Sequence, residues 1–218
     1  MPASAAPRPG STTQVVYIVD DDREHLRSLE KLLTSVSHTV ETFETADALL
    51  QRLPPDPAGC AVLDVRLPGM SGMELHEEMI RRGIPLPVII MTAHGDVPMV
   101  VTAFQHGVVD FVQKPYSPQG LIERVGAALR KDADERVARE ARSLVMERIQ
   151  LLTKREHEVF TRLIDGLSNK EIAADLGVGQ TTIDFHRTNM LQKMQVESVS
   201  DLIREVVAAV GKNADADE

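Results

Sequence analysis

Residues 15–130 constrain this chain most. Five short apolar runs, VVYIV, HTVETF, CAVLDV, PVIIM and DFVQ, alternate there with stretches of helical periodicity. The first, third and fourth runs are nearly continuous Val, Ile and Leu, the pattern of strands covered on both faces. Helical patterns fall near 23–36, 45–53, 71–83, 96–107 and 117–130. This alternation predicts an α/β domain with a five-stranded parallel sheet and helices on both sides. Right-handed crossovers leave few topologies open to it.

The rest of the chain is different. Residues 131–150 contain neither Gly nor Pro, and Val137, Leu144, Val145 and Ile149 fall near one stripe among dense charges. This predicts a helical linker, either with a short coiled-coil seam or as a solvated continuation of the preceding helix. Residues 151–212 show no strand pattern. Thr153/Glu156, Ser168/Glu171 and Ser198/Asp201 have capping-box spacing, and Gly166 and Gly177 sit where helices should stop. Four helices are expected, at about 154–165, 169–176, 180–194 and 199–210, forming an all-α domain. The segments 1–13 and 213–218 are expected to be disordered tails, giving a domain order of 14–130, 131–150 and 151–212.

No apolar run approaches the ~20 residues that span a bilayer, and the start of the chain lacks the apolar core of a secretion signal. A cytoplasmic location without membrane contact is therefore expected. Cys60 is the only cysteine, which excludes an internal disulfide. The net charge of −9 makes the chain a poor general ligand for polyanions.

Open parallel sheets bind ligands at the carboxyl ends of their strands. Asp20 and Asp21 end the first strand and Asp64 the third, while Thr92 follows the fourth and Lys114 the fifth. The fold thus aims three carboxylates, a hydroxyl and an amine at one cleft. Two carboxylates ~4 Å apart repel by about 4 kcal/mol at an effective dielectric near 20, which a divalent cation relieves. Mg²⁺ suits such a site, since it takes oxygen ligands, retains waters and needs only one or two carboxylates. Asp22 is expected at the start of the first helix, facing solvent, where its charge favours the helix dipole. Asp64 can attack phosphorus as a carboxylate nucleophile, and Lys114 and Thr92 can bind phosphoryl oxygens. The histidines, His25 and His94 among them, show no metal-ligand spacing and are expected to be ordinary loop or helix residues.

The stretches VVYIVDDD, LDVRLPGMSGMEL, IIMTAHGDVPMVV and GVVDFVQKP resemble the receiver domain of bacterial two-component response regulators. Their spacings also match, with 43 residues from Asp21 to Asp64, 28 more to Thr92 and 50 from Asp64 to Lys114. The resemblance implies a doubly wound, flavodoxin-like fold in which Asp64 accepts a phosphoryl group from a sensor histidine kinase. It implies Mg²⁺ held by Asp20, Asp21, Asp64 and the backbone carbonyl of Arg66, and a cis Lys114–Pro115 bond. It also implies a switch in which Thr92 moves towards the phosphate and Phe111 turns inward. The face formed by 96–107, 109–112 and 117–130, with Val100, Val101, Phe104 and Val108, is expected to form a homodimer upon phosphorylation.

Residues 169–194 read as two helices joined by a tight turn at Gly177, with small Ala173 permitting close approach. Ile172, Leu176, Val178, Ile183, Met190, Leu191 and Met194 form the inner face, and Thr181, Asp184, Phe185 and Thr188 point outward. This is a helix-turn-helix pattern. With LTKREHEVF, GLSNKEIAADLGV and TTIDFHRTNMLQKM it resembles the LuxR/FixJ/NarL-type DNA-binding domain, and the whole order resembles FixJ-type regulators. By that resemblance Asp184, Phe185 and Thr188 face bases or backbone of promoter DNA. Lys170, Arg187 and Lys193 approach phosphates, helped by Thr181 and Thr182. Many relatives carry Lys where this chain has Asp184 and Thr188. Residues 151–212 hold eight Lys/Arg against nine Asp/Glu, so a monomer is expected to bind DNA weakly.

The expected function is a phosphorylation-controlled transcription factor, with RNA polymerase as a further partner and at most self-catalysed phosphorylation and dephosphorylation. Three alternatives stand at this point: a phosphatase, a regulator that keeps the acid pocket only as structure, and C-terminal helices that bind protein. Phosphatases of this chemistry place a second carboxylate two residues after the nucleophile, where this chain has Arg66.

Overall fold

A computed structural model describes residues 13–93, 103 and 105–210. The chain divides into two compact units, Met1–Glu135 and Arg136–Glu218.

In the first unit the strands β1 (Val15–Val19), β2 (Thr39–Phe43), β3 (Gly59–Asp64), β4 (Val88–Thr92) and β5 (Asp110–Gln113) form a parallel sheet of order β2-β1-β3-β4-β5. Alternate residues of each inner strand face opposite layers. Val16, Ile18, Cys60, Val62, Ile89 and Met91 pack with Leu26, Leu29 and Leu33 of α1 (Arg23–Ser35) and with Leu121, Val125 and Ala128 of α4 (Pro118–Gln150). On the other side Tyr17, Val19, Ala61, Leu63, Val88 and Ile90 meet Leu49 of α2 (Ala46–Arg52) and Leu75 and Met79 of α3 (Gly72–Arg81). Leu29, Leu33, Leu49 and Leu75 are fully buried, each stabilising the fold by about 1.5–3 kcal/mol. The expected helix over 96–107 falls largely outside the described residues, as do Val100, Val101, Phe104 and His94.

The caps explain where the helices start. The Asp22 side chain accepts from the backbone N–H groups of Glu24 and His25 and so begins α1. Ser71 and Glu74, within MSGMEL, form a reciprocal capping box at α3. Gly72 is dictated by contact, because a Cβ there would lie 2.2 Å from the Asp64 carbonyl oxygen. The start of α3 therefore packs directly beneath Asp64.

The expected linker 131–150 has no boundary of its own, since α4 runs unbroken from Pro118 to Gln150. Asp132 is buried and accepts from the Gly59 N–H at 2.8 Å and the Gln14 amide at 3.0 Å, within the first unit. Val145 is buried in the core of the second unit, and Ile149 packs against that core. The stretch is divided between the two units, because its apolar stripe at 145–149 has a core to enter.

The second unit contains α5 (Lys154–Ile164), α6 (Asn169–Leu176), α7 (Gln180–Met194) and α8 (Val199–Val210). Capping boxes at Thr153/Glu156 and Ser168/Glu171 begin α5 and α6. Gly177 ends α6 in the left-handed region at φ 64°, which glycine enters without steric cost. Val159, Phe160, Leu163, Ile172, Ala173, Ile183, Met190, Met194, Leu202 and Val206 form the core.

Candidate functional site

Strands β1, β3, β4 and β5 are neighbours, so the residues at their carboxyl ends converge. Asp20, Asp64 and Thr92 are all buried. The Lys114 ammonium donates to Asp20 Oδ2 at 2.8 Å and to Asp64 Oδ1 at 2.6 Å. One cation thus joins carboxylates that lie 94 and 50 residues from it in sequence. The backbone supports each group. Asp20 Oδ1 accepts from the Asp22 N–H at 2.9 Å, and Asp64 Oδ2 accepts from the Arg66 N–H at 2.7 Å. Lys114 donates its own N–H to the Thr92 carbonyl at 2.7 Å, extending the β4–β5 pairing past the last strand residue. The Lys114–Pro115 bond is cis, as the resemblance implied.

Burial alone would raise the Asp20 pKa, but donation from His25, Lys114 and the Asp22 N–H outweighs it and lowers the value to about 2. Burial likewise opposes the Lys114 charge, yet hydrogen bonds to Asp20 and Asp64 raise its pKa above the usual lysine value. Asp20 is therefore held as a carboxylate and Lys114 as an ammonium.

The remaining expected groups are placed less tightly. Asp21 is exposed at the lip of the pocket. Among the described residues no three His, Cys, Asp or Glu side chains gather closely enough to hold a metal, so a ready three-carboxylate clamp is not formed. The physical reason is the Lys114 ammonium, which supplies the positive charge between Asp20 and Asp64. The donors themselves are hard oxygens and fit Mg²⁺. Phe111 is half-buried and packs against the α2–α3 side of the sheet. Val108 was expected on an exposed dimer face, but it is 4% exposed and belongs to the core, so it is unavailable to a partner.

His25 was not expected here. Its Nδ1 lies 2.6 Å from Asp20 Oδ2, and its Nε2 hydrogen-bonds the Tyr116 hydroxyl. The available signal was its place three residues after the helix cap. Side chains in a first turn lean back towards the helix N-terminus, here the end of β1.

In the second unit Thr181, Thr182, Asp184, Phe185 and Thr188 line the exposed face of α7, and Lys170 on α6 is exposed. Phe185 is 62% exposed, far more than a core aromatic. Asn169 donates to Asp184 Oδ1 at 2.6 Å, tying α6 to α7. Arg187 is half-buried. Lys193, expected near a phosphate, is engaged within the unit. Its ammonium donates to Glu156, a nearly buried carboxylate, at 2.6 Å and to the Leu151 carbonyl at 3.3 Å. Glu156 is already fixed by the capping box, so Lys193 neutralises a buried charge within the unit.

Two families cover these two units. Residues 16–126 match the response regulator receiver domain, and residues 150–206 match the bacterial regulatory proteins of the luxR family. The chain is 40% identical over 194 residues to Nodulation protein W of Bradyrhizobium diazoefficiens, covering 89% of this chain and 86% of that protein. The chain is a FixJ-like response regulator with a LuxR-type DNA-binding domain. It is 41% identical to the transcriptional regulatory protein FixJ of Azorhizobium caulinodans, across 89% of this chain and 92% of that one. Among solved structures, response regulator StyR superposes with a TM-score of 0.77 at 40% identity, covering 89% of this chain and 98% of that chain. Full-length FixJ from B. japonicum gives 0.56 at 38% identity, covering 91% and 98%. As a member of this family the chain is a two-component transcription regulator, and receiver domains of the family generally bind Mg²⁺. No helix among the described residues is long and apolar enough to cross a membrane.

Proposed function

We propose that Asp64 is the phosphoacceptor and that its phosphorylation by a sensor histidine kinase switches on promoter binding by α6 and α7. The observation that carries this reading is the Lys114 ammonium held between Asp20 and Asp64. Asp64 attacks the phosphorus of a phosphohistidine, a P–O bond forms as the P–N bond breaks, and the imidazole leaves. Such a transfer depends on positioning and charge neutralisation more than on proton movement. Asp20, Asp21, Asp64 and the Arg66 carbonyl would hold Mg²⁺, which neutralises and orients the phosphoryl oxygens when bound. Lys114 then exchanges its bond with Asp64 for one with a phosphoryl oxygen, and the Thr92 hydroxyl donates to another. The new phosphate adds about −1.5 to −2 units of charge beside both donors. Thr92 and Phe111 relay that change, and two copies associate through the 96–130 face, with Val108 left in the core.

At the promoter, Phe185 contacts a thymine methyl or the sugar edge and Thr188 a base or phosphate. Asp184 accepts from cytosine N4 while Asn169 holds it in place. Lys170, Arg187, Thr181 and Thr182 serve the backbone. RNA polymerase is the further partner, and the setting is the cytoplasm. Intact mass after exposure to a small-molecule phosphodonor with Mg²⁺ tests the core of this reading. The wild type gains one phosphoryl group and Asp64→Asn gains none; a variant that gains it equally would sink the assignment.

A further inference from the structure

Among the described residues, His25 touches the strand-end pocket without a part in the proposed transfer, and its surroundings are specific. Both ring nitrogens are engaged, Nδ1 with the buried Asp20 carboxylate at 2.6 Å and Nε2 with the Tyr116 hydroxyl, and the ring itself is mostly enclosed. A neutral imidazole satisfies both contacts in one way, with Nδ1–H donating to Asp20 and Nε2 accepting from Tyr116. The Asp20 carboxylate, which can only accept, thus sets Nδ1 as the donor, and the Tyr116 hydroxyl satisfies Nε2.

The consequence concerns Asp20. Its Oδ2 has two donors, His25 and Lys114. A divalent cation beside Asp20 and Asp64 repels the Lys114 ammonium, so cation binding costs Asp20 that partner. The His25 ring is anchored separately, by Tyr116, so its hydrogen bond to Asp20 does not depend on where the Lys114 ammonium goes. We infer that His25 is a positioning residue that keeps the Asp20 carboxylate oriented while Lys114 gives way to Mg²⁺. The inference rests on the reading of Asp20 as a Mg²⁺ ligand. Partners that orient a metal ligand typically change affinity by about 10–100-fold when removed, and the lower end fits here because Asp20 keeps the Asp22 N–H.

Mg²⁺ titrations of the full-length, unphosphorylated protein, followed by NMR of ¹⁵N-labelled chain, test this without any phosphotransfer. His25→Ala weakens Mg²⁺ binding about 10-fold. His25→Asn puts an amide N–H where Nδ1 stood and restores most of the affinity. His25→Gln reaches only the Nε2 position and stays as weak as alanine. A role in packing alone would not separate Asn from Gln. The inference is overturned if His25→Ala binds like the wild type, or if Asn and Gln behave alike. Failure of the wild type itself to bind Mg²⁺ would instead overturn the metal assignment on which the inference rests.

Discussion

Replacing Lys114 by methionine removes the charge at the centre of the pocket and preserves most of the apolar stem. Both partner oxygens lie within 2.8 Å of the same nitrogen, so they are separated by no more than about 5.4 Å. At an effective dielectric near 20 their repulsion is then about 3 kcal/mol. Lys114 is a quarter exposed, so entering water screens part of this, and a loss of about 2–3 kcal/mol is expected in chelator. With an m-value of about 2 kcal/mol per molar urea, the unfolding midpoint falls by roughly 1 M. Tyrosine fluorescence isolates the relevant unit, because the chain has no Trp and its two tyrosines, Tyr17 and Tyr116, both lie in the first unit. Mg²⁺ should reverse the effect. A ligand stabilises each native state according to its affinity for it, and the variant, which binds the cation without displacing an ammonium, gains more from Mg²⁺ than the wild type does. The reasoning is refuted if Lys114→Met matches the wild type in chelator, or if Mg²⁺ leaves the gap open.

Asp20 gives the acid side of the same pocket. Its pKa is lowered from 3.8 to about 2 in the folded protein, so its stabilisation, about 2 kcal/mol, is present above pH 3.8 and lost as the pH falls towards 2. Urea midpoints measured by tyrosine fluorescence should therefore drop more steeply below pH 4 in the wild type than in Asp20→Asn; parallel curves would contradict the shift. In the second unit, Lys193→Ala strands the Glu156 carboxylate and should cost about 1–2 kcal/mol, read from urea unfolding by circular dichroism. The salt dependence of promoter binding should stay unchanged, because a true phosphate contact would lower the slope by about one unit.

What could be read in advance follows from what the backbone determines. Strand period and crossover chirality put Asp20, Asp64, Thr92 and Lys114 on one sheet edge whatever their side chains do, and no local choice competes with that. Inward residues of α6 and α7, such as Ile172, Ile183 and Met190, were legible for the same reason, since burial follows helical period. Side-chain pairing is a different problem. Lys193 looks like a phosphate ligand by its position late in α7, but Glu156, 37 residues earlier, is buried by α5 and needs a cation. Val108 reads as surplus apolar surface, but it packs into the core on the α2–α3 side of the sheet.

His25 illustrates the same limit from the other direction. In DDDREH only its distance from the helix cap marks the histidine, because the partner that fixes the ring, Tyr116, lies 91 residues away. The charge balance of the pocket makes the contact consequential. Asp20 and Asp64 together carry two negative charges and Lys114 one positive, leaving a net negative site that still favours a cation. A divalent ion bound there competes directly with the Lys114 ammonium for the same carboxylate oxygens, whereas the His25 ring is held by Tyr116 wherever Lys114 goes. A pocket that must change its cation without losing its geometry therefore needs a hydrogen-bond donor on the carboxylate that does not leave with Lys114, and among the described residues the backbone N–H of Asp22 and the His25 ring are placed to supply it.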